Sequence, residues 1–291
     1  MESLREAIYA LVQQGWLSSS FQYGFLINAL ICAVILGPLL GALGTLVIAK
    51  RLAFFSEAVG HGALTGIAIG ILLGEPATNP LIGLFSFCMI FALLLHYVRN
   101  RTQVPYDTLV GVFLSIALAV GAALLMYVAR KINIHILENV MFGSILTIND
   151  QDIIRLAFIV IGIVLLLLPT FNRILMTCLS PELARVRGVH NNGYDYLFVI
   201  MVTLITIGAV KIIGAVLVGA LLLIPAATAR LVSNNMSQFV RRSAAISTLS
   251  CVLGTLLPME LNLPVPSGAA IILVAATLFL GATGYRIVRP N

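Results

Sequence analysis

Two residues inside a long apolar stretch have the chemistry to hold an ion. Glu57 and His61 stand four apart between Leu52 and Gly74, so one helical turn sets a carboxylate and an imidazole on the same face, with Cβ atoms roughly 5–6 Å apart. Oxygen plus nitrogen is a mixed ligand set suited to borderline first-row dications such as Mn²⁺, Fe²⁺ and Zn²⁺, whereas K⁺ or Mg²⁺ favours oxygen alone. Ionisable groups in a membrane helix are costly and are functional candidates by default. A purely structural role competes with this: Glu57 would neutralise Lys50 and Arg51 near the membrane surface, and His61 would hydrogen-bond a neighbouring helix. One Glu and one His leave a coordination sphere incomplete, which suits a site that must release its ion. Capture would weaken in acid, because it needs neutral imidazole and ionised carboxylate.

The elements that must position this pair are membrane helices. Of the 291 residues, 60% are hydrophobic and 10% charged, with mean hydropathy +1.07; a soluble domain carries nearer a quarter charged residues. The apolar runs reach the roughly 20 residues a helix needs to cross a bilayer and lack the alternation of an outer-membrane barrel. The fold class expected is all-α, a polytopic transmembrane bundle of eight or nine spans forming a single domain over 1–291. The acids Glu2 and Glu6 and the polar run that follows do not read as a signal peptide; residues 1–22 are expected to form an amphipathic segment on the membrane surface. Cys32, Cys88, Cys178 and Cys251 have no CxxC spacing, so neither a disulfide framework nor a thiolate metal site is indicated. Three of them are expected in span cores.

The expected spans are Tyr23–Ala49, Leu52–Gly74, Pro80–Tyr97, Asp107–Ala129, Ile153–Pro169, a tract Tyr194–Ala229, Ser243–Pro258 and Ser267–Tyr285. The tract decides the count. Its 36 residues would make a helix of about 54 Å against a hydrocarbon core of roughly 30 Å, so it should turn back near Lys211–Gly214, or be a long span followed by a broken one. Most basic residues, among them Lys50, Arg51, Arg99, Arg101, Arg173, Arg185, Arg230 and Arg242, then fall on one side. That side is the cytoplasm by the positive-inside rule, with the N-terminus outside and the C-terminus inside. The net charge of +6 is explained by these loops and implies no nucleic acid.

Within the hydrophilic segment 172–193, Ser180 reads as an N-cap, Pro181 as the first helical residue, and Gly188 as the stop. A short self-capped helix in a cytoplasmic loop is a docking element. Pro225 interrupts its helix's hydrogen-bond ladder, predicting a kink or break and a hinge candidate. His96, His135 and His190 read as surface or capping histidines. Glu75, Asp150, Asp152 and Glu260 read as external acids, solvated or capping, with the capacity to focus cations towards a mouth. Gly37, Pro38, Gly41 and Gly44 are expected to bend or tighten the first span, and Gly60, Gly62, Gly66 and Gly70 to let helices approach closely.

Four ordered segments resemble the permease subunits of bacterial ABC importers for zinc, manganese or iron(II). Arg51–Gly70 resembles the family's second-span signature, an acid followed four residues on by His and a run of small residues. Pro181–Val189 is similar to its coupling helix, Val216–Arg230 to its most recognisable run, and Pro266–Val274 to its C-terminal span. The acid is more usually Asp and here is Glu57; the residue before the His is usually Ser and here is Gly60. The resemblance implies the membrane-spanning subunit of an ATP-driven importer in the bacterial cytoplasmic (inner) membrane, not an enzyme, with no tightly bound cofactor and a divalent metal as cargo. It implies Glu57 and His61 as metal ligands. Pro181, Glu182, Leu183, Ala184, Arg185, Val186, Arg187 and Gly188 would be the ATPase contact. Its expected partners are a second or homologous permease, a cytoplasmic ATPase dimer and an extracytoplasmic metal-binding protein. No Gly-x-x-x-x-Gly-Lys-Ser/Thr loop occurs, so ATP hydrolysis is expected on another chain. The alternatives are an ATP-independent carrier or channel, which should show internal repeats; an intramembrane metalloprotease, which the Glu-x-x-x-His order disfavours; and a permease for a larger chelate. The sequence does not choose among the three metals.

Overall fold

The computed structural model describes residues 5–6, 9, 12, 19–76, 80–102, 104–128, 148–261 and 265–288. The expectations for His135 and for most of residues 1–22 lie outside them. A short 3₁₀ turn, Ser19–Gln22, leads into α1 (Gly24–Ala49), α2 (Phe55–Leu72), α3 (Leu81–Thr102), α4 (Tyr106–Val128), α5 (Asp150–Leu179), α6 (Pro181–Val186), α7 (Asn191–Ile213), α8 (Ala215–Val232), α9 (Met236–Glu260) and α10 (Ser267–Val288). No strand occurs among the described residues. Eight of these helices are long and apolar enough to cross a membrane, and α8 is a shorter apolar helix.

Three pairs of contacts fix the direction of travel. Asn28 donates to the Ile148 carbonyl at 3.0 Å and Lys50 to Thr177 at 3.4 Å, so α1 and α5 run in the same sense. Arg173 meets Tyr194 while Ile159 packs on Gly208, so α7 runs against α5. Gly44 lies on Leu222 and Ile48 packs against Ala226 and Ala229, so α8 runs with α1. The chain therefore reverses at Gly214, whose φ of 86° and ψ of 156° lie in a region essentially open only to glycine. The tract is two helices of opposite sense, α7 of span length and α8 shorter. Pro225 sits inside a continuous α8, so of the kink or break expected there the break does not occur, because neighbouring helices can satisfy the carbonyl freed by a membrane proline. The same tolerance carries α5 through Pro169 to Leu179.

Small residues set the core. A Cβ on Gly44 would overlap the Leu222 carbonyl oxygen, and one on Gly41 the Ser243 backbone; the Ser243 hydroxyl donates to the Gly41 carbonyl at 2.6 Å. Gly66 and Gly70 similarly meet Gly83, seating α3 on α2. The Thr65 hydroxyl ties α2 to the Ala117 carbonyl of α4 at 2.8 Å. Cys32, Cys88 and Cys251 are buried as expected.

At the outer end, Glu75 is a cap: its carboxylate accepts from the Ile82 and Gly83 amides at 3.0 and 2.7 Å, where the exposed N–H groups of α3 favour an anion. Asp150 ion-pairs with Arg5, and Asn149 occupies the N-cap position of α5. The inner end carries a shorter loop than 172–193, since α5 and α7 extend into that segment from both sides. Within it, Ser180 holds the N-cap position of α6 without a side-chain hydrogen bond, a correction to its expected role. The stop is as expected: Gly188 adopts φ 72°, and Gly188 and Val189 donate back to Arg185 and Ala184, closing the last turn.

Candidate metal path and coupling helix

α2 begins at Phe55, which is fully buried and packs edge-on against Tyr106 with ring centroids 6.3 Å apart. This anchor sets the azimuth of the first turn, and the i, i+4 spacing then places Glu57 and His61 together on one half-buried face. α8 walls this position: a Cβ on Gly219 would lie 3.7 Å from the Glu57 Cβ and 3.9 Å from the Ser56 Oγ. Neither Glu57 nor His61 hydrogen-bonds or ion-pairs with a described residue, and the His61 Nδ1 is buried without a partner. The cations expected to neutralise Glu57 do not pair with it. Lys50 pairs with Asp195 and lies over the Phe198 ring, and Arg51 is exposed in a turn. The structural explanation for the pair thus loses its partners, and both groups remain free for a ligand.

Among the described residues no three His, Cys, Asp or Glu side chains gather as a metal cluster. Among the described residues, Glu57 and His61 are the two candidate donors at this position. Ser56 is fully buried with an unpartnered hydroxyl; adjacency to Glu57 was its one signal in the sequence. His96 corrects the reading of surface histidines: it is 2% exposed, edge-on to Tyr196 at 4.4 Å. His190 is exposed at the start of α7.

On α6, buried Ala184 holds the helix down while Leu183 and Val186 are 61% and 85% exposed. Asn191 donates to the Pro181 carbonyl at 3.0 Å, tying α6 to α7. An apolar pair presented on a short, tethered helix at the basic end is a surface shaped for a partner.

The family model described as the ABC 3 transport family matches residues 22–286. The chain belongs to that family. It is a transporter permease subunit, not an enzyme, and a multi-pass protein of the bacterial cytoplasmic (inner) membrane. Membership implies a separate ATPase and a substrate-binding protein as partners. The permease is 31% identical over 259 residues to the manganese import system permease protein ScaB of Streptococcus parasanguinis, covering 89% of this chain and 90% of that one. It is 29% identical to the high-affinity zinc uptake system membrane protein ZnuB of Haemophilus influenzae, covering 89% and 96%. Among solved structures it resembles PsaBC from Streptococcus pneumoniae in complex with Fab, with TM-score 0.77 and 30% identity over 90% of this chain and 91% of that one.

Proposed function

We propose that this permease carries Mn²⁺ or Zn²⁺ inward, handed over by an extracytoplasmic binding protein and driven by ATP hydrolysis on a cytoplasmic ATPase dimer. The observation that carries this reading is the Glu57–His61 pair, half-buried on one face of α2 and without a partner among the described residues. Carboxylate plus imidazole suits these dications, and two ligands per chain hold an ion loosely enough to release it. A second copy, or a homologous permease, apposed at α2 would complete the sphere with its own Glu57 and His61 or their counterparts. The segment Pro181–Gly188 is the ATPase contact, with Leu183 and Val186 as its apolar points and Glu182, Arg185 and Arg187 as its polar rim. Pro225, in a helix beside the pair, is the hinge candidate between outward and inward forms. Residues 1–291 act as one permease domain.

The test is uptake of ⁵⁴Mn, ⁶⁵Zn and ⁵⁵Fe(II) by proteoliposomes holding the permease, its ATPase and its binding protein. ATP-dependent uptake of one metal should collapse in both Glu57→Gln and His61→Ala while assembly persists. Removing a first ligand should weaken the metal by more than the ~10–100-fold seen for outer-shell partners. ATP-driven uptake indifferent to both substitutions would keep the family and discard the site.

A further inference from the structure

A cavity of about 480 Å³ opens at the cytoplasmic end, between the ends of α1, α3, α4, α5 and α7 and the coupling helix α6. Its volume is that of a small-molecule site. Its charge is lopsided: Lys50, Arg51, Arg99 and Arg185 line it against one acid, Asp195, which is spent on Lys50. Arg51, Arg99 and Arg185 are exposed and have no carboxylate partner among the described residues; Arg99 stacks over the Tyr106 ring at 5.3 Å. Deeper in the cavity wall are two nearly sequestered polar side chains. His96 is 2% exposed and Tyr106 9%, and both the His96 Nδ1 and the Tyr106 hydroxyl are buried without partners. The His96 Nε2 lies 3.1 Å from the Asn100 Nδ2.

We propose that this cavity binds a phosphate group, with the arginines supplying charge-assisted hydrogen bonds at the rim. Guanidinium forks match the tetrahedral oxyanion. The group is carried either on an anionic phospholipid headgroup, since the cavity lies where several spans end, or on soluble phosphate. A bound phosphate would link Arg185 of the coupling helix to Arg99 at the end of α3, so that α6 and the bundle move as one body.

The experiment uses the delipidated permease–ATPase complex in zwitterionic detergent, titrated with dihexanoyl phosphatidylglycerol and separately with inorganic phosphate. Binding is read by native mass spectrometry and by thermal shift. One phosphate-bearing ligand per permease is expected, weakened at least tenfold in Arg99→Gln and in Arg51→Gln, weakened less in Arg99→Lys, which keeps the charge but not the fork, and unchanged in Arg241→Gln on α9. Saturation by both probes, each displacing the other, identifies the phosphate itself as what is recognised. Saturation by the lipid alone assigns the headgroup. Failure of both to bind the assembled complex, as when an ATPase carboxylate occupies the cavity, would overturn the proposal. So would binding indifferent to Arg99→Gln and Arg51→Gln in complexes that still melt cooperatively.

Discussion

At the residue scale, which charges are paired separates structural groups from functional ones. Lys50 is the internal counter-ion of Asp195, and both are mostly buried, at 11% and 23% exposure. Glu57 and His61 have no such partner. Truncating Lys50 to Ala would leave a part-buried carboxylate unpaired and should destabilise the fold by on the order of 2 kcal/mol. Adding Asp195→Asn to that variant should recover part of the loss, as read by thermal melts in detergent. Glu57→Gln should leave the melt unchanged within about 0.5 kcal/mol, the range of substitutions away from structural features, while uptake falls. A melt lowered as far as that of Lys50→Ala would instead make Glu57 structural.

At the element scale, helix contacts without Cβ atoms define the bundle. Gly44 and Gly62 both sit in apolar helices, yet only Gly44 faces a neighbouring backbone, whereas a Cβ on Gly62 would rest 3.6 Å from the flexible edge of Phe87. Gly44→Ala should therefore cost about 1–3 kcal/mol by forcing α1 from α8, and Gly62→Ala should be near neutral by the same melts. Gly214 serves a different purpose. Its positive φ makes the α7–α8 reversal, so Gly214→Ala should cost roughly 1–3 kcal/mol in backbone strain and lower the yield of assembled permease on size-exclusion chromatography. Equal behaviour of all three variants would show that composition alone, rather than these contacts, sets the packing.

At the scale of the whole molecule, the described helices divide labour between a middle that holds the Glu57–His61 pair and a basic end that presents α6. Coupling requires that the second act on the first, and the connection visible here runs through Asn191 on Pro181 and Lys50 on Asp195. Leu183→Asp places a charge on the exposed apolar point of α6 without touching the metal pair. It should leave expression and melting unchanged, abolish co-purification of the ATPase and reduce ATP-dependent uptake to background. Retained co-purification would move the ATPase contact away from α6.

The sequence by itself determined the class and the span order, because a bilayer demands long uninterrupted apolar helices, and its basic loops supply the expectation for the cytoplasmic side. It also located the Glu57–His61 pair and the reversal near Gly214, since helical spacing and a tract too long for one crossing are local properties of the chain. Other features are non-local and had to wait for the tertiary structure. Asp195 claims Lys50 from a residue far along the chain, which is what leaves Glu57 unspent. Glu75 caps α3 across an intervening loop, and His96, placed near a span end by hydropathy, is buried by Tyr106 and Tyr196 from two other helices. Pro225 was legible as a ladder interruption but not as one that α8 runs through, because whether a proline breaks a helix depends on what the neighbouring helices offer the freed carbonyl. Pairing energies between distant residues are not written in any window of the sequence; they exist only once packing has chosen which side chains meet.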